Sequence, residues 1–116
     1  MKTIIVLFCL VHVNLDVILD RNLLSKWIPS YQKNSSLFLD HKNITSIAPH
    51  TFDGLTQLVT LSLTSNGLTS LNDSSLFKDL KNLQVLQISN NKLALLNEDI
   101  FKSLTNLQTL DMGLNQ

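Results

Sequence analysis

Residues 83–93 read LQVLQISNNKL, and this stretch decides the fold. Aliphatic side chains recur in it at fixed positions around Asn91, and the same spacing returns at residues 58–68 and 107–115. Successive copies begin 25 and 24 residues apart, a period typical of units that form one strand and one return segment. A weaker copy precedes them, with Lys42 at the position of the asparagine. Because one such unit cannot bury its apolar stripe alone, the chain is predicted to stack about four units, the last of them incomplete.

The central part of each copy alternates inward and outward side chains at a period of two residues. This alternation is typical of a short strand with one face on the core, so the units are predicted to share a parallel sheet. An asparagine follows each strand at a bend, where its amide can pair with backbone groups that would otherwise lack partners. The asparagines predicted to stack as a ladder are Asn66, Asn91 and Asn115. The phenylalanines predicted to form a core row on the opposite, convex side are Phe52, Phe77 and Phe101.

From residue 34 to residue 116 the chain resembles the typical extracellular leucine-rich repeat family, whose unit reads LxxLxLxxNxLxxLxxxxFxxLxx. The units that begin at Leu58 and Leu83 carry nearly every position of that pattern. The family includes Toll-like receptor ectodomains, slit-like and small proteoglycan proteins, and the lamprey variable lymphocyte receptors. The resemblance implies an α/β solenoid, a leucine-rich repeat horseshoe with short parallel strands on the concave side and irregular or short helical segments on the convex side. It also implies ligand binding.

Residues 15–36 resemble a degenerate form of the capping module that precedes the first repeat in this family. Asn22, Leu23 and Pro29 carry that likeness, while the cysteines usual in the module are absent. One of those cysteines would fall near Ile18, so Val17–Leu19 is expected to form a covering strand held by packing alone.

The first 14 residues are predicted to be a signal peptide. A short basic start at Lys2 precedes an apolar run at residues 4–13, after which polar residues return. The run is roughly half of the ~20 residues that a bilayer-spanning helix needs. Two alternatives stay open, a buried first strand of a cytosolic protein and a retained signal anchor, since no clear small-x-small cleavage site is present. Cys9 is the only cysteine, so it closes no intrachain disulfide, and the preceding Phe8 argues against lipid attachment.

The predicted organisation is therefore a signal peptide at 1–14, a cap at 15–36 and leucine-rich repeats at 37–116. No capping segment covers the apolar end of the stack before Gln116, so the chain is expected to be an N-terminal fragment of a longer protein or a truncated gene product. Any membrane association is expected to come only from a segment downstream.

Composition and motifs point away from catalysis. The chain carries nine basic and nine acidic residues, a formal net charge of zero that gives no bulk attraction for nucleic acid. Its three histidines lie far apart, and no pattern typical of a catalytic nucleophile, a phosphate-binding loop or a zinc site occurs. The acidic pair Glu98 and Asp99 falls in a variable stretch typical of a solvated surface. The chain is predicted not to be an enzyme and to use no cofactor and no metal.

The outward positions of the predicted strands form a concave face that is polar and almost uncharged. Such a face suits a protein or glycan ligand better than a polyanion. Phe38 either anchors the ligand or lies beneath the N-terminal cap, and the sequence leaves both open. The residues predicted to bind ligand are Phe38, Asp40, Thr60, Ser62, Thr64, Gln87, Ser89, Thr109 and Asp111.

Three asparagines begin sequons for N-glycosylation, Asn34, Asn43 and Asn72. Asn43 and Asn72 are favoured as glycan sites, because the register position of Asn34 is normally apolar and inward. The sequence thus predicts a secreted or cell-surface recognition module of the innate immune or adhesion receptor kind. A structural repeat protein of the extracellular matrix and a cytosolic leucine-rich repeat adaptor are the alternatives.

Overall fold

The computed structural model describes residues 2–6 and 11–115. Within these ranges the chain forms ten strands, one α-helix and one short 3₁₀ helix. In chain order they are β1 (Lys2–Val6), β2 (Val11–Leu15), β3 (Val17–Leu19), α1 (Arg21–Trp27), β4 (Ser36–Phe38), β5 (Ile44–Ile47), β6 (Thr60–Ser62), β7 (Ser70–Leu71), β8 (Val85–Gln87), β9 (Leu95–Leu96), the 3₁₀ helix (Glu98–Phe101) and β10 (Thr109–Asp111). Neither helix in these ranges has the length and apolarity needed to cross a bilayer.

The main sheet contains one strand from each of four units, in the order β10-β8-β6-β4, and all its pairs are parallel. Adjacent strands come from consecutive units, because each return segment carries the backbone back to the same end of the sheet. We call the four units unit 1 (37–57), unit 2 (58–82), unit 3 (83–106) and unit 4 (107–115). The predicted parallel sheet is confirmed, and the chain is an α/β solenoid.

The core lies between the main sheet and the return segments. The central strand leucines Leu37, Leu61 and Leu86 stand in register and are fully buried. On the convex side, Phe52 and Phe77 are also fully buried, with ring centroids 6.0 Å apart and planes tilted by 32°. This confirms the predicted phenylalanine row for these two rings. The third ring, that of Phe101, packs against the same core but is only half-buried.

The predicted asparagine ladder is confirmed. Asn66 Oδ1 accepts hydrogen bonds from the backbone N–H groups of Lys42 (2.9 Å) and Ile44 (3.0 Å), both in the preceding unit. Its Nδ2 group donates to carbonyl oxygens of its own unit and of the preceding one. Asn91 and Asn115 make equivalent bonds one and two units further along. The stacking of the units removes backbone polar groups at each bend from water, and the asparagine side chains of the ladder provide hydrogen-bond partners for these groups.

The strand expected at Val17–Leu19 is present, but it pairs in parallel with β5 on the flank of unit 1 and not with the main sheet. Helix α1 follows it and was not predicted. Asp20 caps the helix by accepting a hydrogen bond from the Leu23 N–H group (2.8 Å). The helix ends before Pro29, whose ring disfavours a helical residue ahead of it. Its buried residue, Leu24, joins the common core.

Strands β1 and β2 form an antiparallel sheet of their own, which pairs with no other described strand. The predicted signal peptide overlaps them, and Met1 and residues 7–10, Cys9 included, lie outside the described residues. The signal peptide therefore stays a prediction.

Candidate ligand-binding face

The outward side chains of the main sheet lie in three rows that run across the strands. Strand register fixes the first two rows, and hydrogen bonds just beyond the strand ends align the third. Neighbouring strands are about 4.8 Å apart, so each row spans about 14 Å. The rows are Ser36, Thr60, Val85 and Thr109, then Phe38, Ser62, Gln87 and Asp111, then Asp40, Thr64, Ser89 and Gly113. All nine residues predicted to bind ligand are therefore brought together on one face, which we call the concave face.

Most of these side chains reach solvent. The sequence left two positions open for Phe38, and the structure places this residue in the open, 60% exposed on the edge strand β4, and not beneath the cap. Thr109 and Asp111 are exposed on the opposite edge strand, β10. The half-buried members of the predicted set are Asp40, Thr60, Thr64, Gln87 and Ser89.

Ser62 is a correction to the predicted binding set, because its side chain is only 1% exposed. Its hydroxyl donates to Asp40 Oδ1 (2.5 Å) and lies 3.3 Å from the hydroxyl of Thr64. Asp40 Oδ1 also accepts from the Thr64 N–H group (3.0 Å), and the Thr64 hydroxyl lies 3.5 Å from that of Ser89. Neighbouring polar side chains therefore cover Ser62, whose role is to orient them. The alternation of side chains along a strand predicts that Ser62 points outward. It does not predict how far neighbouring side chains cover it.

The charge on this face is of one sign. Its rows contain two carboxylates, Asp40 and Asp111, and no lysine or arginine. Asp111 Oδ1 accepts a hydrogen bond from the Gly113 N–H group (3.1 Å), which holds its side chain close to the turn. Within the described residues, neither carboxylate forms an ion pair with a lysine or arginine. The face therefore offers hydrogen-bonding groups, one aromatic ring and two carboxylates.

A family model described as Leucine rich repeat matches the chain at residues 35–77 and again at residues 60–116. Together the two matches contain all four strands of the main sheet. The chain belongs to the leucine-rich repeat family. No curated protein matches the chain as a relative. Leucine-rich repeats are typically non-enzymatic and generally mediate protein–protein interaction, for which their stacked units provide extended concave surfaces.

The three sequon asparagines of this leucine-rich repeat chain differ in their surroundings. Asn72 is exposed directly after β7, and its side-chain amide makes no hydrogen bond within the described part of the chain. Asn43 is half-buried with a positive φ of 56°, and its Nδ2 group donates to the Leu15 carbonyl (2.5 Å). Asn34 is also half-buried. Glycosylation of all three remains a prediction, and Asn72 has the most open side chain.

A contact that sequence reasoning missed joins the return segments of units 1 and 2. Asp79 Oδ2 accepts from the Gly54 N–H group (2.8 Å) and lies 3.0 Å from Lys78 Nζ, which also approaches Asp53 Oδ1 (3.4 Å). The Gly54 hydrogen bond first, and the adjacent lysine second, hold the pKa of Asp79 below its usual value. Asp79 in turn raises the pKa of Lys78. The one sequence signal near this contact is the Asp53-Gly54 pair, which is typical of a turn. Gly54 has a positive φ of 78°, a conformation that glycine adopts readily.

Proposed function

We propose that the chain is the recognition module of a secreted or cell-surface protein of the Toll-like receptor, slit or variable lymphocyte receptor kind, and that it binds a protein ligand on its concave face. The observation that carries this proposal is the exposure of Phe38 on a sheet face whose other side chains are mostly polar. An aromatic ring left open to water contributes little to folding, whereas aromatic side chains are enriched in the cores of protein interfaces. The leucines beneath the sheet supply the core without it.

Other outward residues of the concave face fit the same role. Thr60, Gln87 and Thr109 present side chains that both donate and accept hydrogen bonds, and none of them takes part in the hydrogen bonds of the ladder or the core. A partner can therefore pair with them without displacing a contact on which the fold depends. A mixture of hydrogen-bonding groups and one aromatic ring is typical of a surface that binds protein.

The ligand-binding part of the proposal is tested by photo-crosslinking in a secretory host cell. A benzophenone amino acid replaces Gln87 on the concave face or, as control, Lys102 on the convex side, whose side chain is 78% exposed. We expect a discrete cross-linked protein from position 87 and none of that species from position 102. Equal yields of one species from both positions, or no cross-link from position 87, contradict concave-face recognition.

The proposed location outside the cell rests on the basic, apolar and polar order of residues 1–14 and on the open sequon at Asn72. Intact-mass and peptide mass spectrometry of the secreted chain test it, with Ser74→Ala as a variant that removes the Asn72 sequon but leaves the asparagine. We expect a new N-terminus near residue 15 and a glycan mass at Asn72 that Ser74→Ala abolishes. Recovery of a chain that begins at Met1 with unmodified Asn43 and Asn72 contradicts this location.

A further inference from the structure

Phe38 and Asp40 occupy neighbouring positions on the same face of one edge strand. They are two positions apart along β4 and its extension, with Leu39 between them, which gives about 6.6 Å between their α-carbons. Phe38 is 60% exposed, and Asp40 begins the polar row that continues with Thr64, whose N–H group donates to Asp40 Oδ1. An aromatic surface and a carboxylate therefore border the same small area of the concave face.

The carboxylate of Asp40 is held in place by one of its two oxygens. Oδ1 accepts hydrogen bonds from the Ser62 hydroxyl (2.5 Å) and from the Thr64 N–H group (3.0 Å). Within the described residues, Oδ2 makes no hydrogen bond and no lysine or arginine lies within ion-pairing distance. Asp40 therefore presents an oriented oxygen with which no lysine or arginine of the described residues forms an ion pair.

The nearest lysine in the sequence is engaged elsewhere. Lys42 places its Nζ 4.9 Å from the centroid of the Trp27 ring, in a cation–π contact between unit 1 and helix α1. This contact directs the lysine toward the helix and leaves Asp40 without it.

We propose that Phe38 and Asp40 form a subsite for a cationic side chain, an arginine or a lysine, of the protein ligand. The ring face attracts a cation through its quadrupole, and the free oxygen of Asp40 accepts a charge-assisted hydrogen bond from the same group. Arginine fits better than lysine, because its planar guanidinium stacks on a ring while its N–H groups point at a carboxylate. This inference rests on the proposed recognition function and names the chemistry that the concave face selects.

An uncharged apolar side chain fits the same place less well. It would cover the ring, but it would also displace water from the Asp40 carboxylate without supplying a donor, and burial of an unpaired charge is unfavourable. Asp111, on the far edge of the face, provides a comparison within the molecule. It is an exposed carboxylate held by a backbone N–H group, and the residue in its row on the adjacent strand is Gln87, not an aromatic.

The experiment is a titration of the ¹⁵N-labelled chain with N-acetyl-arginine amide, followed by NMR at constant ionic strength. N-acetyl-norleucine amide is the matched uncharged probe, and N-acetyl-glutamine amide is a polar one. We expect saturable shifts at the amides of Phe38 and Asp40 and at the Phe38 ring with the arginine probe, and none of comparable size with the other two. Phe38→Leu and Asp40→Asn should each weaken binding of the arginine probe by about two- to fivefold. Asp40→Asn keeps an oxygen that can accept from Ser62 and Thr64. Asp99→Asn, which changes an exposed carboxylate on the convex side, should leave the binding constant unchanged.

Three outcomes overturn the subsite. They are equal shifts with the norleucine probe, equal loss of binding in Asp99→Asn, and unaltered binding in Phe38→Leu and Asp40→Asn when both give native spectra. None of them bears on the cross-linking result at position 87, so the subsite can fail while concave-face recognition stands. If position 87 gives no cross-link, the proposed function fails whatever the probe does.

Discussion

Units 3 and 4 carry the same pattern of side chains, yet they bury them to different degrees. Leu86 in β8 is fully buried, whereas Leu110, its register partner in β10, is 39% exposed. Asn91 is 5% exposed, and Asn115 at the equivalent bend is half-buried. The difference arises because β8 has a strand on each side, while β10 has a described neighbour on one side only. In this solenoid the neighbours decide how strongly a residue stabilises the fold, and the sequence of its own unit decides only where it points.

The largest expected effect comes from removing a central leucine. Leu61→Ala should lower the free energy of unfolding by about 2 to 5 kcal/mol, because it leaves a cavity in a core that other units enclose. Leu110→Ala should cost about half of that or less, since the same side chain is already partly in water. Urea unfolding followed by circular dichroism measures both. Equal losses would show that burial by neighbouring units does not set the energy.

The asparagine ladder allows the same comparison for polar groups. Asn91→Ala removes the acceptor for the buried Leu68 N–H group (3.1 Å) and the donor to the Leu63 carbonyl (3.0 Å). Each buried group left without a partner costs about 1 to 3 kcal/mol. Asn115→Ala should cost less, since its surroundings are more open to water. Chemical unfolding and amide hydrogen exchange at Leu68 report the difference, and a larger loss in Asn115→Ala would contradict the account.

Two serines on the concave face extend the comparison to the outward side of the sheet. Ser62 is buried, and its hydroxyl donates to Asp40 at 2.5 Å. Ser89 is half-buried, and its hydroxyl lies at the longer distance of 3.5 Å from that of Thr64. Ser62→Ala should destabilise the chain by about 1 kcal/mol, the usual net value of one hydrogen bond. Ser89→Ala should be close to neutral. The same unfolding assay tests this pair, and a neutral Ser62→Ala would show that the hydrogen bond from Ser62 to Asp40 adds nothing to stability.

The smallest expected effect concerns the contact between units 1 and 2 on the convex side. The pKa of Asp79 is lowered in the folded chain from the ordinary value of 3.8. Its contribution to stability is therefore present above that value and is lost as the pH falls through the lower folded value. Asp79→Asn, which keeps an acceptor for Gly54, should make stability less dependent on pH in this acid range. Unfolding midpoints between about pH 2 and pH 6 show this, and an unchanged slope would mean that the contact carries no linkage.

Much of the fold could be predicted from the sequence, because the same positions recur every 24 or 25 residues and pack in the same way in each unit. The inward direction of Leu61 and Leu86, the bonds of Asn66 and the row of Phe52 and Phe77 all follow from position within the unit. Helix α1 lies outside the period and was missed. Its signals, the Asp20 cap and the boundary at Pro29, are local and of ordinary strength.

The concave face could be predicted as a set but not residue by residue. Alternation along a strand places Phe38, Ser62 and Gln87 in one row, as observed. Alternation cannot reveal that Asp40 accepts a hydrogen bond from Ser62 or that Ser62 is buried. Both features depend on the side-chain lengths in neighbouring units. Nor could alternation predict that Phe38 is exposed. That exposure depends on where the strand Val17–Leu19 pairs, and this strand pairs with β5 and not with β4.

The most direct test of the account compares strand residues that face opposite sides of the main sheet. Leu86→Ala, Gln87→Ala and Asp111→Ala are measured together for free energy of unfolding and for formation of the cross-link, with the benzophenone residue at position 109. Leu86→Ala should lose about 2 to 5 kcal/mol of stability. The other two should keep the fold within about 0.5 kcal/mol and lose the cross-link. Equal destabilisation by all three substitutions would contradict the register, and with it the division of each strand into a core side and a recognition side.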